Sequence, residues 1–349
     1  MEQKHIPFPY EFEEMTQEEK AENKRLYNYP KIDLIRMGPK GYVMPRAYKE
    51  QAESIYNLPI RPSDIYVASY QRAGTTLTQE LVWLLANDCD FETALAVPIT
   101  HRYPFLEIFM FYIEWKKERL ANIHQVEVSK RENLIKAMEV MTQPVLEKLA
   151  SMPSPRFVKT HLPMCCLNPT IVDTAKVVYV ARDPRDIAVS AYHHARLFTV
   201  FDFGGTFKEF WHLFTNNRFP MTPYLEHVKE AWNLRHHPNM LILFYEELTK
   251  DLKASINRVA DFLGKQVTEE QMARLCDHLS FENFKKNKSV NYEGLRDYGL
   301  MTPRKDEVFI RRGKAGGWRD YFDEEMTQQA EKWIEDNLKD TDLRFPTTK

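Results

Sequence analysis

Three short runs of the chain are apolar at every position rather than at every second one: Ile65–Ser69, Val177–Ala181 and Met240–Tyr245. Strands buried on both faces of a parallel sheet read this way. Arg156–Thr160 is a fourth candidate strand. Stretches with apolar residues at helical spacing follow the three runs, over Thr76–Ala86, Arg185–Leu197 and Lys250–Leu263. Strands alternating with helices predict βαβ units. The expected fold class is α/β, a single domain over 1–349 with a central, mostly parallel sheet flanked by helices.

Two regions interrupt that alternation. Residues 1–60 are rich in charge and proline and predict an N-terminal extension wrapped over the surface. Residues 103–150 predict two helices separated by a polar stretch, Lys116–Glu132. Phe105, Phe109 and Tyr112 sit at helical spacing in the first, and Leu134, Met138 and Met141 in the second. Two readings stand for this region: ordinary helices packed on the core, or a helical lid over an apolar pocket with Phe105, Phe109 and Tyr112 on the pocket side.

Composition narrows the classes. With 43% hydrophobic residues in 349, the chain has material for a sizeable core, which argues against disorder. Lys and Arg number 48 against 50 Asp and Glu, a net charge of −2. That balance gives no whole-chain case for nucleic acid or an anionic membrane. Apolar runs such as Leu81–Ala86 fall far short of a membrane span. The acidic, proline-broken N-terminus does not read as a signal peptide. The four cysteines show no metal-ligand or disulfide spacing, and a bridge between adjacent Cys165 and Cys166 would be strained. A cytoplasmic protein with reduced thiols and no metal is expected.

The most informative segment runs Ser69-Tyr70-Gln71-Arg72-Ala73-Gly74-Thr75-Thr76-Leu77. It leaves a buried strand, turns through a glycine and enters an amphipathic helix, so backbone N–H groups and the helix dipole make an anion site. Arg72, Thr75 and Thr76 add donors. The nucleotide phosphate-loop pattern is not met, because no Lys precedes Thr75 and Ser69 stands for the first glycine. A second site is expected where the strand Val177–Ala181 ends at Arg182, with Asp183 as helix cap, Pro184 at the first helical position and Ser190 two turns in. A third is the cationic loop Phe309-Ile310-Arg311-Arg312-Gly313-Lys314-Ala315-Gly316-Gly317-Trp318. Three anion sites imply a ligand with phosphates at separate positions.

These segments resemble the signatures of the cytosolic sulfotransferase family. The loop resembles that family's site for the 5′-phosphosulfate of 3′-phosphoadenylyl sulfate (PAPS), and Arg182–Ser190 its 3′-phosphate site. Lys159-Thr160-His161-Leu162-Pro163 is similar to its K-T-H-L-P, and Arg311–Gly316 to its R-K-G-x-x-G. Pro104-Phe105-Leu106-Glu107 and Phe244-Tyr245-Glu246 also fit, in family order over about residues 60–320. QRAGTT for the usual PKSGTT, the 103–150 region and the tail after Lys314 resemble the family's retinol-dehydrating branch.

The resemblance implies a P-loop-like sulfotransferase fold, PAPS as sulfuryl donor, PAP as product and no metal. It implies nucleotide contacts from Arg72, Ala73, Gly74, Thr75, Thr76, Leu77, Arg182, Ser190, Tyr245, Ser280, Phe284, Phe309, Ile310, Arg311, Arg312 and Gly313. Leu77 stands where the family has an adenine-stacking Trp. The K-x-x-x-T-V-x-x-x-E dimer motif is absent, which puts the family's homodimer in doubt. The acceptor is expected to be a hydrophobic small molecule with a hydroxyl, held by Phe105, Phe109, Tyr112, Lys159 and His161.

Residues two apart on a strand share a face, so Lys159 and His161 point together. His161 is the expected base, Lys159 the stabiliser of the transferring group, and Arg72 a fixed counter-charge for the leaving phosphate, since Arg stays protonated. Alternatives remain: a retinol dehydratase-type reaction giving anhydroretinol through a transient sulfate ester, a nucleotide kinase with a degenerate loop, and a non-catalytic binder.

Overall fold

The computed structural model describes residues 5–27 and 33–348, so the expected extension at 1–4 and 28–32 lies outside the described residues. Within the described part of that extension, residues 5–14 are exposed or half-buried, while most of 34–48 is built into the body. Phe12–Glu14 (β1), Leu34–Met37 (β2) and Tyr42–Pro45 (β3) form an antiparallel sheet in that order. Ile35, Met37, Tyr42 and Met44 are buried in the main core. The sheet is tied to the body through Val43, whose N–H donates to the Thr222 carbonyl at 2.8 Å and whose carbonyl accepts from Met221 at 2.7 Å. Local pairing lets four-residue strands bury apolar side chains despite the charge between them.

The central sheet is wholly parallel. Ile65–Ala68 (β4), Phe157–Thr160 (β5), Lys176–Ala181 (β6) and Met240–Phe244 (β7) lie in the order β5-β4-β6-β7. Val67 pairs with Lys159 on one side and Val178 on the other. Side-chain alternation sends Tyr66, Ala68, Val158 and Tyr179 to one core and Val67, Val178 and Val180 to the other. Both faces are covered by helices, which explains the unbroken apolar runs. Since β4 precedes both its neighbours, the chain reverses its winding there, and ligands of open α/β sheets bind in that crevice.

Thr75–Ala86 (α1) follows β4. Phe109–Ala121 (α2), Val128–Met141 (α3) and Val145–Ser151 (α4) fill the interval before β5. Two expectations change here. Most of the polar stretch 116–132 is helical, forming the end of α2 and the start of α3. Phe105 precedes α2 and is extended, bridging Lys159 in parallel. Pro184–Leu197 (α5) starts as the sequence implies, with the Asp183 carboxylate accepting from the Arg185 N–H and Pro184 in the first turn. Leu252–Leu263 (α6) packs on the opposite face from α2. Among the described residues no helix is long and apolar enough to cross a membrane, and the four cysteines are free.

Candidate active site

The C-terminal ends of β4 and β6 and the distant 309–318 loop bring the three expected segments, with His161 after β5, to one cavity of about 690 Å³. The loop after β4 turns through Arg72 and Gly74, both left-handed at φ 70° and 105°. At Gly74 the conformation demands glycine twice over, because a Cβ there would stand 2.5 Å from Tyr245 Cδ2. Its N–H-rich turn feeds α1, and Thr75, Thr76 and Leu77 line the cavity. Ala73 does not. It is fully buried, with its amide turned to the Tyr70 carbonyl at 3.4 Å.

Positive charge gathers around this turn. Arg72 Nε donates to Ser190 Oγ at 3.1 Å and its terminal nitrogen to the Phe309 carbonyl at 2.7 Å, with the guanidinium 4.5 Å from the Phe309 ring centre. Burial, then the charges of Arg182 and Arg311, push Arg72 down to about 10, still protonated at neutral pH. Arg182 stacks over Tyr245 at 4.1 Å and donates to the carbonyls of Arg72 and Lys314 at 3.3 and 3.2 Å. Its Nε is buried and has no hydrogen-bond partner among the described residues. Cations crowded together, with donors committed to carbonyls or uncommitted, leave an anionic ligand much to gain here.

His161, at the end of β5, is fixed on every side. Its backbone N–H donates to Glu107 Oε1 at 2.5 Å, and its carbonyl accepts from His227 Nε2 at 2.9 Å. Nδ1 lies 2.9 Å from the Ser69 carbonyl. A carbonyl can only accept, so Nδ1 carries the hydrogen and the lone pair of the neutral ring is on Nε2. Burial, then Lys159, holds the ring well below the usual histidine value. The Lys159 ammonium lies 4.1 Å from the Phe105 ring centre. Burial pushes it down to about 8, with Glu107 opposing and Arg72 adding to the shift. Glu107 is raised to about 7 by burial while accepting from Thr160 Oγ1 at 2.9 Å. Its carboxylate organises the Thr160–His161 backbone.

Beyond His161 the cavity becomes apolar. Phe105, Ile108, Phe111, Tyr112, Val140, Met141, Phe198, Val200 and Phe201 line it, with the Phe111 and Phe201 rings 5.7 Å apart. Phe109 is not among them. It is buried in the core, and its neighbours Ile108 and Phe111 take the place expected of it. Ser280, Phe284, Tyr245, Ile310, Arg311, Arg312 and Gly313 all line the opposite end, so the structure brings the expected nucleotide residues together apart from Ala73. Sequence reasoning missed Ser69, His227, His194, Phe281 and Tyr292. Tyr292 sits at φ 59° with its ring 4.5 Å from Phe309, in a loop whose sequence carries no motif. Ser69 and Glu107 lie inside quoted motifs, where a role as carbonyl or carboxylate anchor was legible in principle.

The arrangement holds a lone pair on a buried imidazole, a nearby ammonium and a guanidinium cluster at the border of an apolar chamber. It suits transfer of an anionic group onto a hydroxyl. Comparison with known proteins points the same way. The profile of the Sulfotransferase domain family matches residues 62–342. A luciferin sulfotransferase of Photinus pyralis is 33% identical over 299 residues, covering 83% of this chain and 76% of its own. The crystal structure of retinol dehydratase with retinol and PAP superposes with a TM-score of 0.90 at 51% identity, covering 98% of this chain and 100% of the other. That of retinol dehydratase with androsterone and the inactive cofactor PAP gives the same TM-score and identity over 98% and 99%.

Proposed function

The chain belongs to the sulfotransferase domain family, and we propose that it passes a sulfuryl group from PAPS to the hydroxyl of a hydrophobic small molecule with His161 as base. The observation that carries this reading is the Ser69 carbonyl on His161 Nδ1, which leaves the Nε2 lone pair free at the border of the apolar chamber. The residues present fit the nucleotide. Arg182, whose buried Nε has no partner among the described residues, and Ser190 suit the 3′-phosphate, and the turn 72–76 the 5′-phosphosulfate.

PAPS, when bound, supplies the sulfuryl group and leaves as PAP. His161 Nε2 takes the acceptor's hydroxyl proton as its oxygen attacks. Lys159 places positive charge beside the transferring oxygens, so it stabilises charge that develops only during transfer. Arg72 neutralises the leaving phosphate as a fixed charge and gives up no proton. Phe105, Ile108, Phe111 and Tyr112 hold the acceptor and exclude water, with 103–150 acting as a lid on a single domain.

For an allylic acceptor the reaction extends. The sulfate ester ionises, sulfate departs with the bonding electrons, and loss of a proton leaves a further conjugated alkene. Retinol treated so becomes anhydroretinol. What favours this second reading is the extent of likeness to retinol dehydratase, 51% over almost the whole chain. Mass spectrometry of reactions with PAPS and phenols, steroids or retinol, scoring sulfate ester and alkene, tests both. Ester from every acceptor without alkene from retinol removes the second reading; no sulfuryl transfer to any of them removes the first.

A further inference from the structure

Residues 308–320 cross the nucleotide end of the cavity with little regular structure, and Phe309 to Lys314 line it. Both ends of this segment meet one side chain. His193 Nδ1 lies 2.7 Å from Glu307 Oε2, and Nε2 lies 2.6 Å from the Tyr321 hydroxyl. Arg196 Nε donates to the other Glu307 oxygen at 2.7 Å, and Arg311, from mid-segment, donates to the Tyr321 hydroxyl at 3.3 Å. With the proton on Nδ1 the donors run in one direction, from Arg311 to Tyr321 to His193 to Glu307. Glu307 as a whole is only 1% exposed. Burial acts against its charge, yet the hydrogen bonds from His193 and Arg196 hold it below the usual carboxylate range.

Helix α5 presents this contact on the face that carries Ser190. Asp186, Ser190, His193 and Arg196 follow at intervals of four, three and three, which places them on successive turns of one side. Asp186 accepts from the N–H groups of Gly316 and Trp318 at 2.6 and 2.9 Å. The chain before Glu307 is fixed as well, Thr302 N–H donating to the Leu197 carbonyl at 2.7 Å. Glu307 is thus anchored just before the lining begins, its carboxylate held by His193 and Arg196 and its carbonyl by Arg296, and His193 also reaches the far end through Tyr321.

We propose that His193 is a positioning residue for the nucleotide: its two nitrogens clasp the ends of the 308–320 segment and so set how fast PAP leaves. The proposal rests on the reading of this end as the nucleotide site. A segment tied at both ends loses less conformational freedom when it closes on a ligand. Cutting the tie therefore raises the dissociation rate while association changes little.

Stopped-flow binding of PAP to the full chain, with steady-state kinetics for PAPS and acceptor, tests it. His193→Phe is expected to speed PAP dissociation about tenfold, the size of one or two hydrogen bonds to charged or aligned groups. The PAPS KM rises while the acceptor KM stays within about twofold. Tyr321→Phe gives a smaller increase, and the double variant is no worse than His193→Phe, since both cut one chain of bonds. Glu307→Gln keeps the shape and moves dissociation the same way. Dissociation at the wild-type rate in His193→Phe and Glu307→Gln overturns the proposal. A joint rise in both KM values does so too, because α5 also lines the acceptor chamber through Val189 and His194 and general loosening would harm both sites. A wild-type chain that binds no PAP has a different signature: the nucleotide reading fails and the clasp goes with it.

Discussion

At the strand ends the cavity wall is charge held in place by hydrogen bonds; along residues 105–145 it is rings and branched chains held by packing. Arg72, Arg182 and His161 each contact backbone carbonyls, so their positions follow from the main chain of β4, β5 and the 308–320 segment. Phe111 and Tyr112 owe theirs to α2, a helix that rests on the core through Phe109 and Trp115. The first wall is suited to one ligand, since polar groups left unpaired are costly. The second tolerates changes of shape, since apolar contact is non-directional and scales with area. One fold thereby joins a wall fixed by hydrogen bonds to a wall whose shape can adapt.

The sharpest way to break this division is at the junction. His161→Ala should lower kcat by about 10² or more, the low end for a general base, with PAP affinity nearly unchanged in a binding titration. A parallel loss of PAP affinity would mean that His161 belongs to the nucleotide wall. Arg182→Ala should weaken PAPS by about 10- to 100-fold, the worth of a charge-assisted hydrogen bond. Adenylyl sulfate lacking the 3′-phosphate should weaken far less, and equal loss for both nucleotides in the same titration would move Arg182 off that phosphate.

On the apolar side, Phe111→Ala should raise the KM of a retinol-sized alcohol by about tenfold, since roughly 25 cal/mol is lost per Å² of contact. The KM values for PAPS and a small phenol should stay put. If phenol and retinol suffer alike, α2 is core rather than lid.

The smallest expected effect concerns pH. Burial and Lys159 hold His161 well below its usual value, so the base form persists through pH 6.5 and the acidic limb of kcat/KM lies below that. Lys159, pushed down to about 8, carries its charge below that pH and loses it above. The alkaline limb of kcat/KM should fall near 8, and Lys159→Arg should move it upward. An alkaline limb indifferent to that substitution would separate Lys159 from the transfer step.

The same division explains what could be read from sequence. β4, β6 and β7 were legible because a strand buried on both faces must be apolar at every position. The loops after β4 and β6 were legible because an anion site needs particular residues at fixed spacing. The apolar wall was legible only as a stripe. Phe109 and Phe111 are separated by about 200° on a helix, and aromatic content alone does not say which of them meets the core. Phe105 looked helical by spacing, but its backbone pairs with β5, a contact across 54 residues that no local pattern encodes. The N-terminal sheet was hidden by its charged and proline-rich setting, although Ile35 and Val43 are as buried as any residue of the central strands.

That pairing of Phe105 with β5 has a further consequence. β5 lies at the edge of its sheet. Lys159 N–H donates outward to the Pro104 carbonyl at 3.0 Å, and the Lys159 carbonyl accepts from Leu106 N–H at 2.9 Å. The chain entering α2 is thus stitched to the strand that leads into His161, and an edge otherwise open to other chains is closed. Amide exchange would register this as a boundary in the chain. The protons of Leu106 and Lys159 should exchange with deuterium only as slowly as the sheet itself opens, while those of α2 and α3 exchange through local openings that leave the stitch intact.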